Sequence, residues 1–364
     1  MKQMIRLSSD LSSKILTIGP DYQNHRGGVG AVIDVYSRYY EVFNFIPSQK
    51  NGSALFKSYA FFICLIKLLA TLFSNRKIKV IHIHGASYES FYRKFIVFVI
   101  GKYVFRKRII YHIHGGGFQI FYEKSNNLSK RLIKCLLGNA DIVLCLSLSW
   151  MKYFEQNFKT KKLILLPNVI DYPVKIKTDL KKDVITFLFF GLICKAKGIF
   201  DLIEVIARNK ELYRGRIKLL IAGNGEVEHM KDLIYKHSIE DIVEFLGWIS
   251  NNEKSSILNN SDVYILPSYI EGLPISILES MSYGKAVIST KVGGIPEIVR
   301  NKENGLLINP GDLEQIKQSL NFFLENPEKI EEYGVVSEQK VQKYLPDSVL
   351  KELEEIYKSV LSNE

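Results

Sequence analysis

The chain has 364 residues, of which 47% are apolar and 12% are aromatic, and its formal net charge is +11. This length is too great for one ordinary hydrophobic core and predicts two domains, while the composition excludes a disordered chain. The four cysteines form no CxxC pair and exclude a disulfide framework, which indicates reduced thiols in the cytosol. The N-terminal stretch MKQMIRLSSD is too polar for the apolar region of a signal peptide.

The positive charge is concentrated in the first half of the chain. Residues 1–170 hold 25 Lys and Arg against 8 Asp and Glu, whereas residues 171–364 hold 24 against 30. The two halves therefore carry formal charges of +17 and −6. Such a split predicts that the first half contacts an anionic partner, which is a nucleic acid, a membrane surface or a charged substrate.

Apolar strands alternate with helical stretches along the first half. A glycine-rich turn, Gly27-Gly28-Val29-Gly30, follows the first strand and leads into a helix predicted to run through Val42. The predicted strands cover residues 14–18, 80–83, 109–113, 142–146 and 163–166. Continuous apolar strands between helices predict a parallel sheet that is covered on both faces.

The second half repeats this plan after a polar linker. Its predicted strands cover residues 186–190, 217–222, 243–245, 263–266, 286–290 and 306–308. We therefore predict an α/β protein with two doubly wound, Rossmann-like domains that face a central crevice, where ligands bind outside the carboxyl ends of the strands. The predicted boundaries are 1–170 for the N-terminal domain, 171–184 for the linker, 185–346 for the C-terminal domain, and 347–364 for a last helix that packs back toward the N-terminal domain.

Two carboxylates flank an otherwise apolar stretch, EGLPISILE, which runs from Glu271 to Glu279. Pro274 suits the first turn of a helix, so Glu271 would lie in the loop before it and Glu279 within it. A carboxylate accepts two hydroxyl hydrogen bonds, which is typical of residues that bind the vicinal diol of a sugar. The alternative is that Glu271 caps the helix and Glu279 is a solvated surface residue.

The run from Ser261, SDVYILPSYIEGLPISILESMSYGKAVISTKVGGIPEIV, resembles the retaining GT-B glycosyltransferases of the family 4 type (glycosyl transferases group 1), of the bacterial surface-polysaccharide kind. Their signature is a glutamate, seven residues and a second glutamate, followed by a helix of small residues and a GG-x-PE turn. Other stretches match the family in the expected order: Gly27-Gly28, HIHG at 112–115, LPNV at 166–169, GLICKAKG at 191–198, Gly223-Asn224-Gly225, FLGW at 245–248 and NGLL at 304–307. The resemblance spans most of the chain and is strongest at 186–310.

The resemblance implies transfer of a sugar from a UDP- or GDP-sugar donor to a glycan acceptor, without a metal or other cofactor. It implies that Glu279 holds the ribose hydroxyls, that Glu271 contacts the transferring sugar, and that Lys197 neutralises the diphosphate. His114, at a strand end, would lie near the same sugar. The other implied donor-binding residues are Gly27, Gly28, Lys195, Gly223, Asn224, Gly272 and Leu273. Gly27 and Gly28 would let the phosphates approach a helix N-terminus, although a plain tight turn is the alternative.

One departure from the family concerns its phosphate-binding segment. The family places an arginine at one of two positions that are Leu192 and Cys194 here, and neither side chain pairs with a phosphate. Lys195 is nearby and is expected to replace the arginine, as a point charge that lacks the bidentate fork of a guanidinium group.

Four histidines lie at the ends of two predicted strands, His82 and His84 on one and His112 and His114 on the other. Residues two apart on a strand share a face, so the four imidazoles could chelate a metal ion. The resemblance implies no metal, and it favours a hydrogen-bonded wall of the crevice instead.

Two stretches of the first half combine apolar and basic residues. The stretch 55–73 is apolar nearly all round apart from Lys57 and Lys67, and 91–108 mixes basic with aromatic residues. Neither suits a membrane span, because a central lysine costs roughly 2.5–3.5 kcal/mol there. Both are either buried helices or a surface for an anionic membrane, and the charge favours the membrane. The basic residues expected to face lipid are Lys94, Lys102, Arg106 and Arg108.

The sequence thus predicts a cytoplasmic glycosyltransferase, peripheral on the inner face of the plasma membrane, that extends a lipid-linked glycan in O-antigen, capsule or similar biosynthesis. A sugar-nucleotide epimerase of similar fold is the alternative enzyme, and it would convert a labelled donor without an acceptor. A nucleic-acid-binding protein would also explain the charge, but the chain contains no recognised nucleic-acid module, so nucleic acid is not an expected partner.

Overall fold

The computed structural model describes residues 6–23, 27–50, 52–176 and 184–362. The chain divides into two compact units, of which the first comprises residues 1–170 and 344–364 and the second comprises residues 171–343. Each unit contains a six-stranded, all-parallel sheet with helices between its strands. The predicted architecture of two doubly wound α/β domains is confirmed at this level.

The first unit is built on the strand order β2-β1-β3-β4-β5-β6. Its strands are β1 (Ile15–Pro20), β2 (Asn44–Gln49), β3 (Val80–Gly85), β4 (Arg108–Ile113), β5 (Ile142–Cys145) and β6 (Leu163–Leu165). Its helices are α1 (Ser9–Ser12), α2 (Gly28–Tyr39), α3 (Ala54–Ser74), α4 (Glu89–Val99), α5 (Phe118–Lys124), α6 (Asn127–Asn139), α7 (Leu148–Asn157) and, at the end of the chain, α16 (Pro346–Leu361). The helix predicted to run through Val42 instead ends at Tyr39.

Strand β2 was missed by the sequence analysis. Its sequence, NFIPSQ, is half polar and contains Pro47, which cannot donate to a sheet ladder. The strand pairs only with β1, at the edge of the sheet, and an edge strand tolerates a proline on its free side.

The second unit has the strand order β12-β11-β10-β7-β8-β9. Its strands are β7 (Ile185–Ile193), β8 (Ile217–Gly225), β9 (Val243–Gly247), β10 (Val263–Leu266), β11 (Ala286–Thr290) and β12 (Gly305–Ile308). Its helices are α8 (Ile199–Arg208), α9 (Lys210–Tyr213), α10 (Val227–His237), α11 (Asn251–Asn260), α12 (Ile275–Ser282), α13 (Ile295–Ile298), α14 (Leu313–Glu325) and α15 (Glu328–Val341). Part of the predicted linker, residues 177–183, lies outside the described residues.

Helix α16 packs on the sheet of the first unit. The hydroxyl of Tyr357 on this helix lies 2.7 Å from Nδ1 of His82 on β3 and 2.7 Å from the hydroxyl of Tyr40. All three side chains are buried. The last helix therefore packs on one face of the first unit's sheet, although the last strand of that sheet ends about 180 residues earlier in the chain.

The predicted lipid-facing basic residues are mostly engaged inside the first unit, so that prediction is wrong in detail. Lys94 is fully buried within the core, where its Nζ donates to Oγ of Ser90 at 3.0 Å. Lys102 pairs with Asp141 at 2.6 Å, and Arg108 lies 3.6 Å from the same carboxylate. Of the four, only Arg106 is exposed. A basic side chain on an apolar helix thus does not show which side of that helix faces solvent.

The buried Lys94 predicts a stability test. Burial, and then the charge of Arg93, lowers the pKa of Lys94 from its ordinary value of 10.5 to about 7. Because the folded pKa lies below the unfolded one, this group destabilises the fold increasingly as the pH falls from about 10.5 to about 7. We expect Lys94→Met to raise the free energy of unfolding by about 2 kcal/mol at pH 6, and by less at pH 9, as measured by urea titration.

The matched control is Lys134→Met, which replaces an exposed lysine on α6. It should change the stability by no more than about 0.5 kcal/mol at either pH. If Lys94→Met did not raise the free energy of unfolding, or raised it equally at both pH values, Lys94 would not be a buried ammonium group that destabilises the fold.

Candidate active site

The candidate site of the second unit lies where β7 and β10 end. Strand β8, the next strand in the chain, pairs with one edge of β7, whereas β10 pairs with the opposite edge of β7. The order of the strands therefore reverses between β7 and β10, and parallel sheets bind ligands beside such a reversal. The loop after β7 carries Lys197, and the loop after β10 carries Glu271.

Lys197 and Glu271 form an ion pair at this edge. Nζ of Lys197 lies 2.5 Å from Oε1 of Glu271, which also accepts a hydrogen bond from Oγ of Ser268 at 2.8 Å. The side chain of Glu271 is 7% exposed and that of Lys197 is 26% exposed. Among the described residues no donor binds the second oxygen of Glu271, so it remains available to a hydroxyl group. Glu271 is therefore not the simple helix cap of the alternative interpretation.

Two glycines hold the loop after β10 in place. Gly198 has φ of 70°, and a Cβ there would lie 2.0 Å from the carbonyl oxygen of Pro267. Gly293 has φ of 54°, and a Cβ there would lie 2.1 Å from the carbonyl oxygen of Glu271. Any side chain at either position would displace this loop, so both glycines are required for the position of Glu271 relative to Lys197.

Glu279 lies on α12, as predicted, and it is also paired with a lysine. Its Oε1 lies 2.5 Å from Nζ of Lys254 on α11, and both side chains are about 20% exposed. Helix α11 begins with a capping box between Ser250 and Glu253, which fixes the helix that carries Lys254. Glu279 is thus partly buried rather than solvated, contrary to the alternative interpretation. Gly272 and Leu273, the other implied binding residues of this loop, lie between the two carboxylates, and Leu273 is buried.

The segment with the missing arginine is open to solvent. Leu192 and Lys195 are exposed, and Lys195 forms no ion pair with the described residues. On the neighbouring strand, a Cβ at Gly223 would lie 1.9 Å from the carbonyl oxygen of Gly191, so a side chain at this position is excluded. Oδ1 of Asn224 is buried and has no hydrogen-bond partner among the described residues. Among the described residues, this edge of the sheet therefore presents the unpaired ammonium group of Lys195 and the unsatisfied acceptor Oδ1 of Asn224.

In the first unit, the glycine turn precedes α2. Gly27 has an extended backbone and no atom lies within 4 Å of a Cβ built on it, so neither its conformation nor its packing requires glycine. Gly28 begins the helix and is exposed. This open space at a helix N-terminus suits the approach of an anion. Residues 24–26 of the same loop lie outside the described residues.

His114 lies just after β4 and its ring nitrogens are both engaged. Nδ1 lies 3.1 Å from Oδ1 of Asn168, and Nε2 lies 2.8 Å from Nδ1 of His84. Because an amide oxygen only accepts, Nδ1 of His114 carries the proton, and Nε2 accepts from His84. Contact between this imidazole and a sugar hydroxyl therefore requires one of the two hydrogen bonds to open.

The four histidines share one face of the sheet, because His84 is paired in register with His112. Burial is the main cause that lowers their pKa, to about 3 for His82 and about 4 for His114, so they are neutral near pH 7. The ring nitrogens of His82, His84 and His112 lie within 4.8 Å of one another. They could hold a metal ion only if the rings moved closer, since imidazole nitrogens on one zinc ion are about 3.3 Å apart.

Comparison with known proteins points to one family for the second unit. Residues 174–339 match the model of glycosyl transferases group 1. An uncharacterized glycosyltransferase of Methanocaldococcus jannaschii is 33% identical over 174 residues, which is 47% of this chain and 44% of that protein. The N-acetyl-alpha-D-glucosaminyl L-malate synthase of Bacillus anthracis is 25% identical over 326 residues, 86% of this chain and 83% of that protein. The chain thus spans about half the length of several curated relatives that it matches.

Solved structures share the fold of the whole chain. Sucrose-phosphate synthase from Thermosynechococcus elongatus superposes with a TM-score of 0.78 at 17% identity, covering 96% of this chain and 100% of that one. HepE of Anabaena, solved in complex with UDP-glucose, gives 0.74 at 17% identity with the same coverage. The fold is therefore that of the GT-B glycosyltransferases.

Sequence reasoning placed both glutamates and Lys197 on the correct loops and helix but missed their partners. Ser268 and Lys254 contact the two carboxylates, yet nothing in their local sequence indicates these contacts. Lys254 lies 25 residues before Glu279, on a different helix. Only the packing of α11 against α12 brings the two side chains together.

The buried histidines predict an acid-sensitive fold. Their folded pKa values lie below the ordinary 6.5, so the unfolded chain binds more protons and stability falls as the pH drops below about 6.5. Each neutral buried histidine contributes up to about 1.4 kcal/mol per pH unit to this slope. We expect His82→Gln to reduce the slope between pH 6.5 and pH 4.5 by about that amount, measured by urea unfolding at several pH values.

The control is His229→Gln, at an exposed position of the second unit, which should leave the slope unchanged. His82→Gln will also lose the hydrogen bond to Tyr357, so its stability at pH 7 should be lower. The informative quantity is the slope, and an unaltered slope would show that His82 is not held neutral.

Proposed function

We propose that the protein is a retaining glycosyltransferase that moves a sugar from a nucleoside diphosphate sugar to a glycan acceptor, because residues 174–339 match the model of glycosyl transferases group 1. The observation that carries this proposal is the ion pair of Lys197 and Glu271 beside the strand-order reversal between β7 and β10. A cation and a nearly buried carboxylate at that edge match the two charges that such a donor requires, one for its diphosphate and one for its sugar hydroxyls.

Lys197 is assigned to the diphosphate. Transfer of the sugar leaves a nucleoside diphosphate whose negative charge grows in the transition state, and a nearby ammonium group stabilises that charge. The carboxylate of Glu271 compensates the charge of Lys197, which limits the free-energy cost of holding this cation at a partly buried position. When the diphosphate binds, Lys197 gains a second anionic partner, and the free oxygen of Glu271 accepts from a sugar hydroxyl.

Glu279 is assigned to the ribose of the nucleotide. Its Oε1 is occupied by Lys254, but a carboxylate offers about four acceptor sites, so a diol can bind without displacing the lysine. Lys254 then acts as a positioning residue that fixes the carboxylate. No metal ion is part of this proposal, because the cationic role falls to Lys197.

The donor and the acceptor are proposed only by their chemical class. A UDP- or GDP-sugar is the proposed donor, supported by the structural similarity to HepE, which was solved with UDP-glucose. The proposed acceptor is a lipid-linked glycan of a bacterial surface polysaccharide, at the cytoplasmic face of the plasma membrane, supported by the motif pattern of the sequence. The alternative of a sugar-nucleotide epimerase is not supported by the comparisons.

The first prediction from this function concerns nucleotide binding. Glu279→Ala should weaken binding of UDP or GDP by about 10- to 100-fold, because a charge-assisted hydrogen bond to the ribose is lost. Lys197→Ala should lower kcat more than it weakens nucleotide binding, since its charge matters most to the leaving diphosphate. Isothermal calorimetry with both nucleotides, followed by turnover of the sugar donor that binds, measures the two effects.

Glu328→Ala serves as the control, because Glu328 is an exposed glutamate at the start of α15. Its nucleotide affinity should equal that of the wild type. If Glu279→Ala and Lys197→Ala both retained wild-type affinity and turnover, the assignment of this edge as the donor site would be wrong.

A second prediction concerns Lys195. It is the exposed cation nearest to the missing arginine, so we expect Lys195→Ala to lower kcat by roughly tenfold, a loss approaching that of Lys197→Ala. Leu192→Arg supplies a bidentate donor on the same segment and should raise turnover. Steady-state kinetics that found Lys195→Ala neutral would assign Lys195 to the solvated surface.

A further inference from the structure

Helix α3 of the first unit exposes an apolar surface that the proposed function does not use. Six large side chains of this helix are between 44% and 85% exposed: Leu55, Phe56, Tyr59, Phe62, Ile66 and Phe73. At ~200 Å² for each large side chain, these exposures amount to roughly 700 Å², more than the few hundred Å² that monomeric proteins usually expose in one patch. We name this set the α3 surface.

The opposite side of α3 is equally apolar and belongs to the core. Cys64, Leu68 and Leu72 are buried in the main hydrophobic cluster of the first unit. A helix at a water-facing surface carries polar residues on its outer side, whereas α3 is apolar on both sides. The inner side is explained by packing in the core, and the outer side needs a second apolar environment.

The length of α3 raises the question of whether it spans a membrane. Among the described residues, Leu55–Ser74 is the one helix long and apolar enough to do so, with a mean hydropathy of 1.8 and only 17% of its most apolar 18 residues buried. Spanning would remove Cys64 and Leu68 from the core and place Lys67 within the hydrocarbon. A helix lying in the plane of the interface keeps the inner side packed and buries only the outer side.

The charges around the α3 surface match an anionic lipid. Helix α3 contains no acidic residue, Lys67 is exposed beside the apolar side chains, and Arg76, Lys77 and Lys79 are exposed just after its C-terminal end. At this end the ring of Phe73 lies 4.9 Å from that of Phe105, next to the exposed Arg106. Basic residues that border an apolar face favour binding to anionic headgroups.

We propose that the α3 surface lies in the plane of an anionic bilayer, with its apolar side chains at the boundary of headgroups and acyl chains and its bordering lysines and arginines on lipid phosphates. Because α3 follows β2 in a parallel sheet, its N-terminal end lies at the edge where β3 and β4 end, which is also the edge of His84 and His114. Docking therefore brings this edge of the first unit to the membrane surface. The proposal does not depend on the glycosyltransferase activity.

The test is sedimentation of the full chain with vesicles of phosphatidylcholine alone and with 30% phosphatidylglycerol, at 0.1 M and 1 M salt. The apolar variant is Leu55→Gln, Phe62→Gln and Ile66→Gln combined. Its control is Leu128→Gln, Leu148→Gln and Val335→Gln combined, which replaces equally exposed apolar residues elsewhere. The basic variant is Lys67→Gln, Arg76→Gln and Lys77→Gln combined.

We expect the wild type and the control to bind the anionic vesicles and the apolar variant to bind at least tenfold more weakly at both salt concentrations. The basic variant should lose about tenfold at 0.1 M salt and little at 1 M, where the Debye length falls from about 10 Å to about 3 Å. Thermal unfolding and the far-UV circular dichroism of each variant check that it is folded. The proposal would be overturned if the apolar variant bound the vesicles as tightly as the wild type. It would also be overturned if the wild type bound no vesicles and instead formed a discrete dimer that only the apolar variant abolished.

Discussion

The ion pair between Lys197 and Glu271 is the interaction on which the candidate site depends. The carboxylate is nearly buried, so removal of the lysine would leave an uncompensated negative charge, which is strongly unfavourable in a poorly solvated place. The geometry follows from the sheet, because the two residues come from loops that follow adjacent strands of the reversal point. Two glycines with positive φ, at positions where a Cβ would clash with the loop after β10, then allow the close approach of these segments. The backbone thus sets the positions of the two loops, and the ion pair joins them.

Charge is treated differently in the two units. The second unit places a lysine against each of Glu271 and Glu279, so each of these charges is compensated locally. The first unit buries an ammonium group at Lys94, gathers Lys102 and Arg108 around Asp141, and keeps four histidines neutral by burial. Part of its positive charge is therefore engaged in internal contacts, while Lys67, Arg76, Lys77 and Lys79 are exposed on or just after α3. The net charge of a segment does not show which of its charges face outward.

The positions of Glu271 and Glu279 could be predicted from sequence because both residues occur at short spacings from a strand end. Glu271 follows β10 by five residues and Glu279 lies in the helix that Pro274 begins, so chain connectivity alone puts them at the ligand edge. Their partners could not be predicted in this way. Ser268 and Lys254 reach the carboxylates through tertiary packing. The exposure of Lys195 also depends on the tertiary structure, since no neighbouring element covers it.

By itself, the sequence determined the parallel α/β architecture in two halves, since apolar strands alternating with helices bury their surface in few other ways. It also determined that Glu271 and Lys197 lie in loops after strands and that Glu279 lies on a helix. The tertiary structure decided that Lys94 is buried, that Tyr357 of α16 contacts His82, and that one side of α3 is exposed. The physical reason is that hydrophobicity and charge are properties of a residue, whereas burial depends on which distant elements pack against it. An apolar helix looks the same in sequence whether its outer side meets a core, a partner or a bilayer.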